Sequence, residues 1–199
     1  MDCDILQRVS TIEAPVGVFA ENDRLRLALP QCDRGIGDVI RKPADPALIQ
    51  GVRIDPLTVW PDDRGFFLEL HRLKTGLVAD FPPTAQISAA LSYPGTIKAF
   101  HYHLDQTDCW NPMLGMFQVA LVDLRLESPT FGRRNTIYTG QLKPWQILIP
   151  PGIAHGYKIV SHTDATLVYL TDKTYNPADE GRIAHNDPSL NYDWETQHK

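Results

Sequence analysis

Gly95-Thr96-Ile97-Lys98-Ala99-Phe100-His101-Tyr102-His103-Leu104-Asp105-Gln106-Thr107-Asp108 is the stretch that decides the fold, completed by Gly115 and by Pro150-Pro151-Gly152-Ile153-Ala154-His155. Side chains at i and i+2 of a strand share a face, so His101 and His103 point the same way. Asp108, on or near the next strand, and His155, from a strand in the other half of a barrel, converge on the same interior. Two histidines, a carboxylate and a third histidine suit a divalent ion such as Zn, Fe, Mn or Ni, with one or two positions left open. The same imidazoles without metal are proton-transfer groups near neutral pH.

From Val52 onward, short apolar runs are punctuated by Pro, Gly and Asp about every ten residues, an all-β rhythm. Strands are predicted at 52–60, 65–72, 85–92, 96–102, 114–123, 134–139, 145–149, 154–159 and 165–172. Phe117, Val119 and Leu121 alternate with Gln118, Ala120 and Val122, which predicts a sheet buried on one face and partly covered on the other. Two packed antiparallel sheets forming a jelly-roll barrel over 52–199 follow from this spacing. Short helices are expected only at 73–79 and 177–180. Residues 1–51 lack periodicity and end in Lys42-Pro43-Ala44-Asp45-Pro46, a turn or linker. They are expected to form an N-terminal arm against the core or a neighbouring subunit, or to be disordered in their first residues.

With 199 residues, 43% apolar, 22% charged and a net charge of −5, the chain has the composition of one well-cored soluble domain. The acidic balance argues against nucleic acid and anionic membrane as partners. No apolar run reaches the roughly 18 residues of a membrane span. Asp2, Asp4 and Glu13 are unlike a signal peptide, so a cytoplasmic location is expected. Cys3, Cys32 and Cys109 are odd in number and irregularly spaced, which argues against a disulfide framework.

The two histidine-bearing segments resemble the paired motifs of cupins, with Asp108 where a glutamate is usual, and imply a double-stranded β-helix. Four further segments resemble the dTDP-4-dehydrorhamnose 3,5-epimerase family. They are Asp63-Arg64-Gly65-Phe66-Phe67 with Glu69, Val122-Asp123-Leu124-Arg125 running into Ser128-Pro129-Thr130-Phe131-Gly132, Ile149 to Gly156, and Asn186-Asp187-Pro188. The resemblance implies inversion of the carbons flanking the ketone of a nucleotide-linked 4-keto-6-deoxy sugar, without a redox cofactor, by a homodimer. Edge strands of an open sandwich also benefit from pairing.

A proton α to a ketone is removed by a side-chain base when the base is poised near neutral pKa and the enolate oxygen is stabilised. The resemblance implies that His101 is this base and Tyr169 the acid that reprotonates from the other face. It further implies that Arg64 binds the diphosphate, that Gln86 contacts the nucleotide base and Lys98 the substrate, that His155 is the second active-site histidine, and that Tyr175 lines the sugar pocket. Lys98 replaces an arginine of the family, and the bidentate fork is lost. In three other places the chain departs from the pattern. Asp108 stands where the family carries a lysine near the enolate, His-Tyr-His replaces His-Tyr-Gln, and the C-terminal aspartate that orients the family's base is missing. A divalent metal on His101, His103, Asp108 and His155 could replace the lysine as a Lewis acid. Either His101 is then the base and the metal is absent, or another group, Tyr169 or Tyr175, removes the proton. The epimerase reading stands beside two others: a metal-dependent cupin enzyme such as a dioxygenase or sugar-phosphate isomerase, and a non-catalytic sugar-nucleotide binding protein.

Overall fold

The structure is a computed structural model that describes residues 17–83 and 85–196. In chain order the strands are β1 (Val18–Glu21), β2 (Arg26–Ala28), β3 (Asp38–Val39), β4 (Arg53–Pro56), β5 (Trp60–Asp62), β6 (Gly65–Phe67), β7 (Gln86–Ser92), β8 (Ile97–His103), β9 (Asp108–Leu114), β10 (Met116–Asp123), β11 (Arg134–Gly140), β12 (Trp145–Ile149), β13 (Ile153–Ile159), β14 (Ala165–Thr171) and β15 (Glu180–Arg182). A six-stranded sheet runs β15-β8-β13-β10-β11-β3 and a five-stranded sheet runs β4-β12-β9-β14-β7. β1 with β2 and β5 with β6 form separate two-stranded ribbons. The cupin-like jelly roll expected from the strand spacing is the fold observed.

The alternation in β10 explains how the sheets stack. Phe117, Val119 and Leu121 enter the core between the sheets with Ile137, Ile147, Ile149, Ile153 and Tyr157. Ala120 and Val122 face the opposite way, into a second apolar cluster with Leu27, Phe100, Leu190, Tyr192 and Trp194. Gln118, on that same outer face, is 2% exposed and donates from Nε2 to the Tyr192 hydroxyl at 3.1 Å. The outer face of β10 is thus buried, while Tyr138 of β11 and Lys158 of β13, which flank Gln118, are half-exposed, so the back of the six-stranded sheet is covered in part, as the sequence pattern predicts.

Part of that cover comes from the leading segment. Its described part, from Gly17 onward, packs on its own chain: β3 adds to β11 in parallel, and Ile40 and Ile49 are each 1% exposed in the central core. The jelly roll thus recruits residues ahead of Val52. Residues 1–16, on which the expected disorder falls, lie outside the described residues.

Several local expectations differ from the structure, among them the strands expected at 52–60 and 65–72, of which only Arg53–Pro56, Trp60 and Gly65–Phe67 lie in strands. Residues 108–114 form a strand, β9, where none is predicted, because Asp108, Asn111 and Pro112 interrupt the apolar pattern. Pro112 is tolerated there because β9 pairs β12 only through Asp108, Cys109 and Trp110, and the ladder to β14 is irregular at Leu167, opposite Pro112. Residues 177–179 are a turn leading into β15, which begins at Glu180, rather than a helix, and only Gly76–Val78 of the first expected helix is helical, as one 3₁₀ turn. At Gly115, φ is +72° and an added Cβ would lie 2.6 Å from that of Ala165, so glycine is required for the tight reversal from β9 to β10.

Candidate active site

The period-two pattern of β8 sorts its side chains cleanly. Phe100 and Tyr102 pack outward against the second apolar cluster, while His101 and His103 turn into the sandwich. There they meet His155 from β13, whose backbone pairs with His101, and Asp108 from β9 in the facing sheet. These four residues line one cavity of about 380 Å³. Gln86, Lys98, Tyr169 and Tyr175 line it too, so all but one of the residues singled out from sequence come together.

The exception is Arg64. It sits at the tip of the β5–β6 ribbon with its side chain 84% exposed, pairs with Asp62, and does not line the cavity of its own chain. The Asp123-Arg125 segment is also remote from the cavity. Asp123, fully buried, accepts from Arg125 Nε at 2.8 Å and from the Ser128 and Thr130 hydroxyls at 2.6 Å each, a lock for the turn after β10.

His101 has an orienting partner in the cavity wall, Glu180. Its Nδ1 lies 3.0 Å from Glu180 Oε1, so the ring donates there and Nε2 keeps its lone pair. Burial pushes the His101 pKa down, opposed by the Glu180 carboxylate. Burial raises the Glu180 pKa, but Arg182 and His101 together hold it below the usual carboxylate value. Arg182 Nε donates to the same Oε1 at 2.9 Å.

Glu180 reaches His101 because β15 lies directly on β8, with Gly181 opposite Tyr102. A Cβ on Gly181 would sit 1.9 Å from the Tyr102 ring, so only glycine permits this approach. The sequence reading missed Glu180 because Pro177-Ala178-Asp179-Glu180 has helical composition. The usable signal was Glu180-Gly181-Arg182, two charged side chains on one strand face about a glycine.

His103, Asp108 and His155 form the inner wall and are buried, with 8%, 4% and 3% exposure. Each offers a ligand atom, and those atoms lie within 4.8 Å of one another. His155 Nδ1 donates to the Ile153 carbonyl at 2.9 Å, and burial next to His103 pushes its pKa down to about 3, so Nε2 is a lone pair. Burial raises the Asp108 pKa, against hydrogen bonds from Gln106 at 2.8 Å and Trp110 Nε1 at 3.0 Å. His101, counted with this group in the sequence reading, stands apart from it on Glu180.

Tyr169 comes from β14 of the five-stranded sheet, so it and His101 belong to opposite walls of the cavity. Its ring packs on the central core. At the rim, Gln86 Oε1 accepts from the Tyr175 backbone N–H at 3.0 Å and Gln86 Nε2 donates to Ser88 at 3.0 Å. Tyr175 is 58% exposed, and Lys98 Nζ donates to the Leu91 carbonyl at 3.3 Å. A base and an acid on facing walls of one pocket can take a proton from one side of a carbon and return one to the other.

Residues 46–199 match the family model described as dTDP-4-dehydrorhamnose 3,5-epimerase. The spore coat polysaccharide biosynthesis protein SpsL of Bacillus subtilis is 43% identical over 152 residues, 75% of this chain and 99% of that protein. The dTDP-4-dehydrorhamnose 3,5-epimerase of Pseudomonas aeruginosa is 35% identical over 144 residues, 70% of this chain and 78% of that enzyme. Among solved structures, the epimerase RmlC of Legionella pneumophila in complex with dTDP-4-keto-L-rhamnose superposes with a TM-score of 0.65 at 29% identity, covering 74% of this chain and 80% of that one.

Proposed function

Because the chain belongs to the dTDP-4-dehydrorhamnose 3,5-epimerase family, we propose that it inverts a carbon beside the ketone of a dTDP-linked 4-keto-6-deoxy sugar, with His101 as base and Tyr169 as acid. It is a carbohydrate epimerase of the nucleotide-sugar class. The observation that carries the residue assignment is the pairing of an oriented imidazole on one sheet with a phenol on the other, across one cavity. Glu180 fixes the His101 tautomer with Nε2 basic. Proton removal generates an imidazolium that Glu180 stabilises in place, and the resulting enolate takes a proton from the Tyr169 hydroxyl on its opposite face.

Incubation with a dTDP-linked 4-keto-6-deoxyhexose in deuterium oxide tests this. Deuterium is expected at a carbon flanking the ketone, in product of inverted configuration. Tight binding of the nucleotide sugar with no exchange at either flanking carbon would remove the catalytic assignment.

The reading includes a homodimer that completes the site. β7 is an edge strand whose Ile87 and Leu91 are 66% and 58% exposed, an apolar edge of the kind that pairs with another chain. Arg64, the diphosphate ligand in this reading, must reach a cavity that it does not line in its own chain, which a second copy supplies. Arg64→Ala and His101→Asn chains, each inactive alone, are therefore expected to recover activity when co-assembled, since one site per mixed dimer has both residues intact. Mixed dimers that stay inactive would place Arg64 outside the site. The described cysteines, Cys32 and Cys109, are free thiols, which fits a reducing cytoplasmic setting.

A further inference from the structure

The inner wall of the sugar cavity holds a donor set that the proton transfers above leave idle. Asp108 Oδ2 lies 3.7 Å from His155 Nε2, beyond hydrogen-bond range. That separation is close to the roughly 3.4 Å between two ligands of a tetrahedral ion bound at about 2.1 Å. The third donor, His103, completes the set within 4.8 Å.

The surroundings of His155 and Asp108 suit ligation. The Ile153 carbonyl takes the Nδ1 proton of His155 and aims its Nε2 at Asp108. Gln106 and Trp110 donate one hydrogen bond to each oxygen of Asp108 and fix the carboxylate plane. Around His103, Gln106 Nε2 lies 3.3 Å from Nε2, a contact that an ion bound there would replace, and Asp179 lies 3.9 Å from Nδ1, beyond hydrogen-bond range. His155, backed by a carbonyl, has the usual outer arrangement of a metal-ligating imidazole.

We propose that His103, Asp108 and His155 bind one divalent first-row transition-metal ion, of the Zn, Fe, Mn or Ni class, at the inner wall of the sugar cavity. Two imidazoles and one carboxylate leave coordination positions open to the cavity. His101 is not a ligand, so base and metal do not compete for one nitrogen. The consequence for catalysis rests on the epimerase reading. The permanently cationic side chains of the cavity, Lys98 and Arg182, are both exposed, and Arg182 is committed to Glu180. Held by His103, Asp108 and His155, such an ion would supply Lewis acidity toward the substrate ketone.

The test is metal content and stability of untagged protein, with no activity measured. Wild-type chain stripped with chelator and reloaded with Zn2+, Mn2+, Co2+, Ni2+ or anaerobic Fe2+ is expected to retain about one equivalent of at least one ion and to melt at higher temperature when loaded. The His103→Ala and Asp108→Asn variants should lose roughly tenfold or more in affinity. His101→Asn should retain the ion. Circular dichroism of each variant separates loss of a ligand from loss of the fold. A folded wild-type chain that retains none of these ions overturns the proposal. So does a folded His103→Ala chain that binds as tightly as wild type. Either result leaves the deuterium-exchange test of the epimerase reading untouched.

Discussion

Replacing His101 with asparagine is expected to lower the rate of substrate deuterium exchange by roughly 10²- to 10⁴-fold, the usual weight of a positioned general base. The fold should survive, because His101 is part-exposed on the cavity wall and its side-chain bond is to Glu180, itself in a short edge strand. Asparagine can keep a hydrogen bond to Glu180 while offering no basic nitrogen, so the loss should fall on turnover far more than on substrate affinity. Glu180→Gln is the companion measurement. The amide can donate to Nδ1 and so favour the tautomer whose Nε2 carries the proton, which predicts a loss of kcat of up to about 10⁴-fold, with recovery in Glu180→Asp. Exchange by His101→Asn at the wild-type rate would remove His101 from the mechanism. Unchanged kcat in Glu180→Gln would reduce Glu180 to a structural contact.

The parts of this site that were legible in the sequence are those set by strand periodicity. His101 and His103 share a face because β8 has a period of two, and the Pro150-Pro151-Gly152 turn delivers His155 to the strand beside them. The parts that were not legible depend on which strands become neighbours. Glu180 lies 79 positions from His101 and reaches it only because β15 pairs with β8 across a glycine. Competition between base and metal at His101 followed from treating the three histidines as one set. It dissolves once β15 draws His101 toward Glu180 and leaves His103 and His155 facing Asp108. The leading segment was obscure for a similar reason. Leu27, Ile40 and Ile49 are buried by elements far along the chain, and no local periodicity marks them.

This separation bears on the absent lysine. A carboxylate beside a forming enolate opposes it by charge, yet Asp108 is buried, hydrogen-bonded through both oxygens and faced by two imidazoles. In the proposed metal site it would be a ligand rather than a free anion at the reacting carbon. Under the proposed metal site, the loss of the lysine and the gain of His103 would be one change in chemistry, a fixed cation exchanged for a bound one.

Tyr169→Phe is expected to uncouple exchange from inversion. The ring packs on the central core and phenylalanine preserves that packing, so stability should stay within about 0.5 kcal/mol of wild type. His101 remains able to take the α proton and to return a deuteron from solvent to the same face. Without a donor on the opposite wall, inverted product should form roughly 10²- to 10⁴-fold more slowly, while deuterium still enters substrate of unchanged configuration. Resolving label position and configuration in the same sample by NMR separates the two events. Inversion at the wild-type rate would show that another group delivers the second proton, with Tyr175 at the rim the next phenol to replace. Loss of exchange together with inversion would show that the Tyr169 hydroxyl is needed before the enolate forms, a role in binding or enolate stabilisation rather than the acid step assigned to it.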